Sequence, residues 1–183
     1  MGPGLRRDDG FIRSDGLLMT PHLRAGVIAA IAALVADQAS KLWLLNVLDI
    51  AHRGAVKVTP FFDLELAWNV GISFGWLQSD SPAAQIGLMA VKVVAVIVLA
   101  VWMARSRTLL ATVALGLIIG GAVGNGIDRF LHGAVVDFAH FHVEISGFRY
   151  SWYVFNLADV AIVAGVAALL YDSFLGVPAA KAP

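Results

Sequence analysis

The chain has 183 residues, 59% of them hydrophobic and 14% charged, with a mean hydropathy of +0.79. A soluble domain carries about a quarter charged residues, so these values, with the apolar residues gathered into long runs, describe a polytopic membrane protein. A formal net charge of zero and the lack of a basic, aromatic-interleaved stripe exclude nucleic acid as a partner, and zero cysteines exclude disulfides, thiol nucleophiles and thiolate metal sites.

Residues 1–23 are Gly-rich and charged and read as a poorly ordered tail, within which Met19 is an alternative start. The apolar stretch after this tail is too long, and too polar at its far end, for a signal-peptide core with a small-residue cleavage site. A helix needs about 20 largely apolar residues to cross a bilayer. Four stretches meet that length: about 24–45, 84–104, 108–131 and 155–175. Residues 177–183 form a short second tail.

Arg6, Arg7, Arg13 and Arg24 lie before the first span, Arg105 and Arg107 in the tight second link, and Lys181 after the fourth. Basic residues gather on the cytoplasmic side. Both termini are therefore expected in the cytoplasm, with the longer loops at about 46–83 and 132–154 outside.

The first outer loop alternates apolar and polar residues through Val56–Trp76, with Asp63, Leu64, Glu65 and Leu66 in sequence. Such alternation predicts a half-buried hairpin or small sheet. Val135–Val143 alternates in the same way around Asp137, and the two stretches are expected to pair. The aromatic residues Phe61, Phe62, Trp68, Trp76 and Trp152 suit a surface lying on lipid headgroups.

With that topology the polar residues of the spans fall in one layer at the outer interface. Asp37 and Lys41 lie in the outer part of the first span, Asn125, Asp128 and Arg129 at the outer end of the third, and Asn156 and Asp159 in the opening turns of the fourth. Asn69 and Asp137 belong to outer loops. Asp37 and Lys41 are four apart, acid first, the better order for a helical pair. They read either as a self-neutralised pair or as one whose lysine also approaches a substrate or headgroup. Lys92 reads as a structural, snorkelling lysine. Asn125 shares a face with Asp128 and Arg129, which as neighbours point apart and are expected to reach other elements. Gly116, Gly120 and Gly124 make a small-residue ridge for close helix packing.

Asp137 and Asp159 are the chemical candidates. A carboxylate at mid-membrane costs roughly 2.5–3.5 kcal/mol on insertion scales and so marks function. Two carboxylates at one site share a proton, because both cannot ionise readily. One then serves as general base toward water and the other as general acid toward a carbonyl, with Asn156 able to orient a carboxylate or the peptide through its amide. The plain alternatives are a helix N-terminal acid for Asp159 and a solvated loop acid for Asp137. His140 and His142, with Asp137 or His132, offer a weak metal set that no further motif supports.

These pieces together resemble a bacterial family, the prolipoprotein signal peptidases or type II signal peptidases. The residues that carry the likeness are DQASK at Asp37–Lys41, the NVGISF block from Asn69, GGAVGNGIDR ending at Arg129, VVDF holding Asp137 and FNLAD ending at Asp159. The match runs from about Arg24 to Leu175. It implies an aspartyl endopeptidase that cuts a diacylglyceryl-modified prolipoprotein just before its lipidated cysteine, with Asp137 and Asp159 catalytic. Asp37, Lys41, Asn69, Asn125, Arg129 and Asn156 fall on the family's substrate-binding or dyad-supporting positions, and Asp128 with the three glycines is taken as structural. The implied fold is an all-α membrane protein, four transmembrane helices over residues 24–176 with a small extracytoplasmic β-like cradle. The implied enzyme is a globomycin-sensitive monomer in the bacterial inner membrane, in contact with lipid, with no metal or cofactor and its active site near the periplasmic face. Ile72 and Ser73 depart from the family pattern, and the EISGFRYSW stretch is long; both bear on loop shape and substrate tolerance.

Two other readings compete with this one. A small proton- or ion-coupled transporter would use the acids as a relay, but a relay spreads its carboxylates through the membrane depth. A non-catalytic assembly or lipid-binding protein would leave the two aspartates unexplained.

Overall fold

The computed structural model describes residues 19–70 and 82–175. The expectations that rest on residues 1–18, on 71–81 (Ile72, Ser73 and Trp76 among them) and on 176–183 with Lys181 lie outside the described residues.

Helix α1 (Pro21–Asn46) starts where Thr20 accepts the Leu23 N–H on its Oγ1 at 3.2 Å and Pro21 fills the first helical position, which needs no N–H donor. Asp49, at φ 53°, turns the chain into the single turn α2 (Ile50–Arg53), which ends on Gly54 at φ 73°. Strands β1 (Val56–Thr59) and β2 (Phe62–Asn69) come next, and then helix α3 (Pro82–Arg105). Helix α4 (Leu109–His132) is capped by Thr108, whose Oγ1 accepts from Ala111 N at 3.1 Å, and stops at Gly133 in the left-handed region. Strand β3 (Val135–Ile145) turns at Ser146 and Gly147, both with positive φ, into β4 (Phe148–Ser151), and α5 (Leu157–Leu175) closes the chain. Two central residues of positive φ fit the right-handed twist of a hairpin, so the EISGFRYSW stretch is a tight β3–β4 hairpin.

Among the described residues, three helices are long and apolar enough to cross a membrane: Pro21–Asn46, Leu109–His132 and Leu157–Phe174. The all-α label gives way, because the expected cradle is a four-stranded antiparallel sheet in the order β1-β2-β3-β4. The last helix also begins later than the hydropathy run suggests. Phe155 is held in a bridge with Ala139, donating to Ala139 O at 3.0 Å and accepting from Ala139 N at 2.8 Å, so the chain stays extended until Asn156.

Helix α4 is the centre of the bundle. A Cβ at Gly116 would overlap Gly26 O of α1, one at Gly120 would overlap Ala30 O, and one at Gly124 would strike the Asp37 carboxylate. The glycine ridge therefore brings α1 into backbone contact, as its spacing of four predicts. On the other flank, Gly121 and Gly165 do the same between α4 and α5, facing Ala158 O and Ala114 O.

Side chains alternate between the two faces of a strand, and the sheet is two-sided. Phe62, Leu64 and Ala139 pack with Leu44 and Leu45 at the end of α1, Leu48 in the link after it and Ile50 of α2. Asp63 and His140, paired in register, turn to the other face. In the hairpin beyond the helices, Val143 pairs with Tyr150 and Ile145 with Phe148, while Glu144 pairs with Arg149. One hairpin face is thus apolar and the other polar. Phe148, Tyr150 and Trp152 on the apolar face are 69%, 60% and 68% exposed.

Candidate active site

Asp159 owes its position to the way α5 begins. Asn156 accepts the Asp159 N–H on its Oδ1 at 3.0 Å, and Asp159 Oδ2 accepts the Asn156 N–H at 3.3 Å. This reciprocal cap satisfies two N–H groups that a helix start leaves without intrahelical partners. Asp137 comes from β3, opposite Ala67, next to the place where the β2 register slips between Leu64 and Ala67. Bulges of this kind bend a strand and re-aim its side chains.

Three asparagines tie the two carboxylates together. Asp137 Oδ1 accepts from Asn156 Nδ2 at 2.6 Å and Asp137 Oδ2 from Asn69 Nδ2 at 2.9 Å. Asp159 Oδ1 accepts from Asn125 Nδ2 at 2.9 Å, while Asn125 Oδ1 accepts from Asn156 Nδ2 at 3.0 Å. Asp137 is 2% exposed, and Asp159 is only partly covered. Burial pushes the Asp137 carboxyl above its ordinary range, and the like charge of Asp159 adds to this. The Asn69 and Asn156 amides and the charge of Lys41 work against it.

Behind the asparagines lies a buried charge cluster. Lys41 Nζ is 2.7 Å from Asp37 Oδ2, 2.7 Å from Asp128 Oδ2 and 3.1 Å from Asn125 Oδ1. Gly124, besides admitting Asp37, lends its carbonyl to Gln38 Nε2 at 3.2 Å. Asp37, Lys41, Asn69, Asn125, Asp128, Asp137, Asn156 and Asp159 thus join one network, with one difference in a neighbour of it. Arg129 does not reach another element as expected: its Nη1 returns to Asn125 O, one turn back on its own helix, at 3.2 Å. Its charge still acts on Asp128, Asp137 and Asp159. Sequence reasoning missed Gln38, which donates to Asp37 Oδ2 at 3.1 Å and Asp128 Oδ1 at 3.0 Å. The available signal was its spacing of three from Lys41, which puts both on one helical face.

The histidines lie elsewhere. His142 Nε2 is 2.9 Å from Asp63 Oδ2, and His140 Nδ1 is 3.0 Å from Glu65 Oε2, both on the sheet face turned away from Asp137. His132 packs edge-on against Trp68 with ring centroids 5.5 Å apart. Among the described residues, no group of three or more His, Asp or Glu side chains is arranged to hold a metal ion.

The family described as Signal peptidase (SPase) II matches residues 29–175. The lipoprotein signal peptidase of Nitrobacter hamburgensis is 73% identical over 165 residues, covering 90% of this chain and all of that one. That of Rhodopseudomonas palustris is 64% identical over the same shares. Among solved structures, a bacterial membrane enzyme determined by the in meso method superposes with a TM-score of 0.67 at 25% identity, over 87% of this chain and 95% of that one.

Proposed function

The chain belongs to the signal peptidase II family, and on that premise we propose that Asp137 and Asp159 are the dyad with which it cuts. The protein is an aspartic-type protease that removes signal peptides from prolipoproteins. The observation that carries the dyad is the bridge at Asn156, whose Nδ2 donates to Asp137 and whose backbone N–H donates to Asp159.

Asp137, raised by burial, holds the shared proton. Asp159, the more accessible of the two, takes a proton from water as that water attacks the scissile carbonyl. Asp137 gives its proton to the carbonyl oxygen, forming a neutral tetrahedral diol. The C–N bond then breaks as Asp159 returns its proton to the departing amine, and Asp137 recovers a proton from the diol as the new carboxyl forms. Asn69, Asn125 and Asn156 keep both carboxyls aimed throughout.

The substrate is a prolipoprotein carrying a diacylglyceryl-modified cysteine, cut immediately before that residue. The 24-residue α3 serves as a fourth membrane span, both termini face the cytoplasm, and the enzyme works as a monomer in the inner membrane. The dyad sits at the outer ends of α4 and α5, and the apolar hairpin face supports a sheet resting on the outer leaflet. Cleavage of a lipidated precursor by the purified protein, followed by gel shift with Asp137→Asn and Asp159→Asn in parallel, tests the reading. Precursor cleavage by either variant at the unsubstituted rate overturns it.

A further inference from the structure

The two aspartates are held by their own side-chain partners, but the backbone that carries each is pinned separately, at the residue just before it. Asp37 Oδ1 accepts the Ala158 N–H at 2.9 Å, and Asp128 Oδ2 accepts the Val136 N–H at 3.1 Å. Asp37 is on α1 and Asp128 on α4, so the α5 start and the β3 start are each moored to a different buried carboxylate.

These two carboxylates are joined by one ammonium. Lys41 Nζ reaches both at 2.7 Å, and Gln38 Nε2 spans the same pair. We propose that Lys41, with Asp37, Asp128 and Gln38, is the positioning device that sets the spacing of the catalytic pair. The proposal rests on the dyad reading and extends it.

Three features favour positioning over substrate contact or simple charge balance. An ammonium has three N–H donors, and Asp37, Asp128 and Asn125 Oδ1 take all of them, in a side chain 2% exposed. None is left for substrate. The third bond also fixes the Asn125 amide: with its oxygen on Lys41, its Nδ2 must face Asp159. Finally, two buried carboxylates without the cation between them repel. Their separation would draw Ala158 and Val136 apart, and Asp159 and Asp137 with them.

Steady-state cleavage of a lipidated precursor by the full-length protein in lipid nanodiscs, with kcat and KM resolved, tests this using Lys41→Arg and Gln38→Leu. Lys41→Arg keeps the charge, but a guanidinium cannot converge three acceptors on one nitrogen. It is expected to lower kcat about 100-fold with KM within about twofold, the scale of a 1 Å misplacement. Gln38→Leu carries no charge change and removes one of the two bridges, and about a tenfold kcat loss at constant KM is expected. A wild-type kcat in either variant, or a loss confined to KM, overturns the device. If Lys41→Arg does not accumulate in folded form, Gln38→Leu decides alone. Asp137→Asn and Asp159→Asn run alongside. If either cleaves at the unsubstituted rate, the dyad reading fails; if both are slowed about 100-fold or more while the other two variants match wild type, only the positioning device fails.

Discussion

Asn156 donates its amide Nδ2 to Asp137 Oδ1 at 2.6 Å, and it lies three residues before the other acid of the pair. One residue that caps a helix thereby sets the relation between two acids from different elements. The two roles are inseparable, since the Oδ1 that receives Asp159 N fixes which way the amide points.

Loss of either acid is the first expectation. Asp137→Asn and Asp159→Asn should each lower kcat by about 10²–10⁴-fold, the usual contribution of positioned acid–base groups, with little change in precursor binding. Single-turnover cleavage together with a binding titration separates the two effects.

The pH dependence of stability gives a second. The folded-state value of Asp137 lies above 3.8. The folded state therefore binds more protons than the unfolded chain between 3.8 and the raised value, and stability falls as pH rises through that window. Below 3.8 the group contributes no slope. Asp137→Asn removes this term, so its melting temperature relative to wild type should climb with pH across the window and level off above it. Thermal unfolding in detergent at a series of pH values measures the crossing, and a constant difference would refute it.

Glycines on α4 should respond with opposite signs. Gly120→Ala drives a methyl into Ala30 O, and overpacking of this kind costs about 1–3 kcal/mol. Gly126 has nothing within 4 Å of its added Cβ. Gly126→Ala should therefore be neutral or stabilising by up to about 1 kcal/mol, through helix propensity. Paired melting curves check both.

The β3–β4 hairpin offers a fourth. The chain has no cysteine, so single cysteines at Ile145, Phe148, Glu144 and Arg149 can each be spin-labelled without background. In nanodiscs, labels at Ile145 and Phe148 should be reached by oxygen and shielded from a water-soluble nickel relaxant, and labels at Glu144 and Arg149 the reverse. Equal exposure at all four would remove the sheet from the membrane surface.

Much of this is legible from residue order alone, for a physical reason. Carboxylates, asparagines and a lysine are costly near lipid, so Asp37, Lys41, Asn125, Asp128, Asn156 and Asp159 stand out against apolar spans, and strand alternation exposes the setting of Asp137. Other features depend on partners far away in the chain. The bond from Ala158 N to Asp37 joins residues 121 positions apart, and no local pattern encodes it. Gln38 escapes notice because a lone glutamine on a helix carries little insertion cost. The direction taken by Arg129 is hard to read because a long, flexible side chain can satisfy itself on its own helix as readily as on a neighbour.

The order in which the chain is made gives the mooring of Ala158 to Asp37 a further meaning. Ala158 and Asp159 leave the ribosome more than a hundred residues after Asp37, so the helix that carries them must find a partner already made. On the proposed dyad, a molecule made only as far as β3 therefore holds one acid and no scissors, and cutting power arrives only when α5 docks.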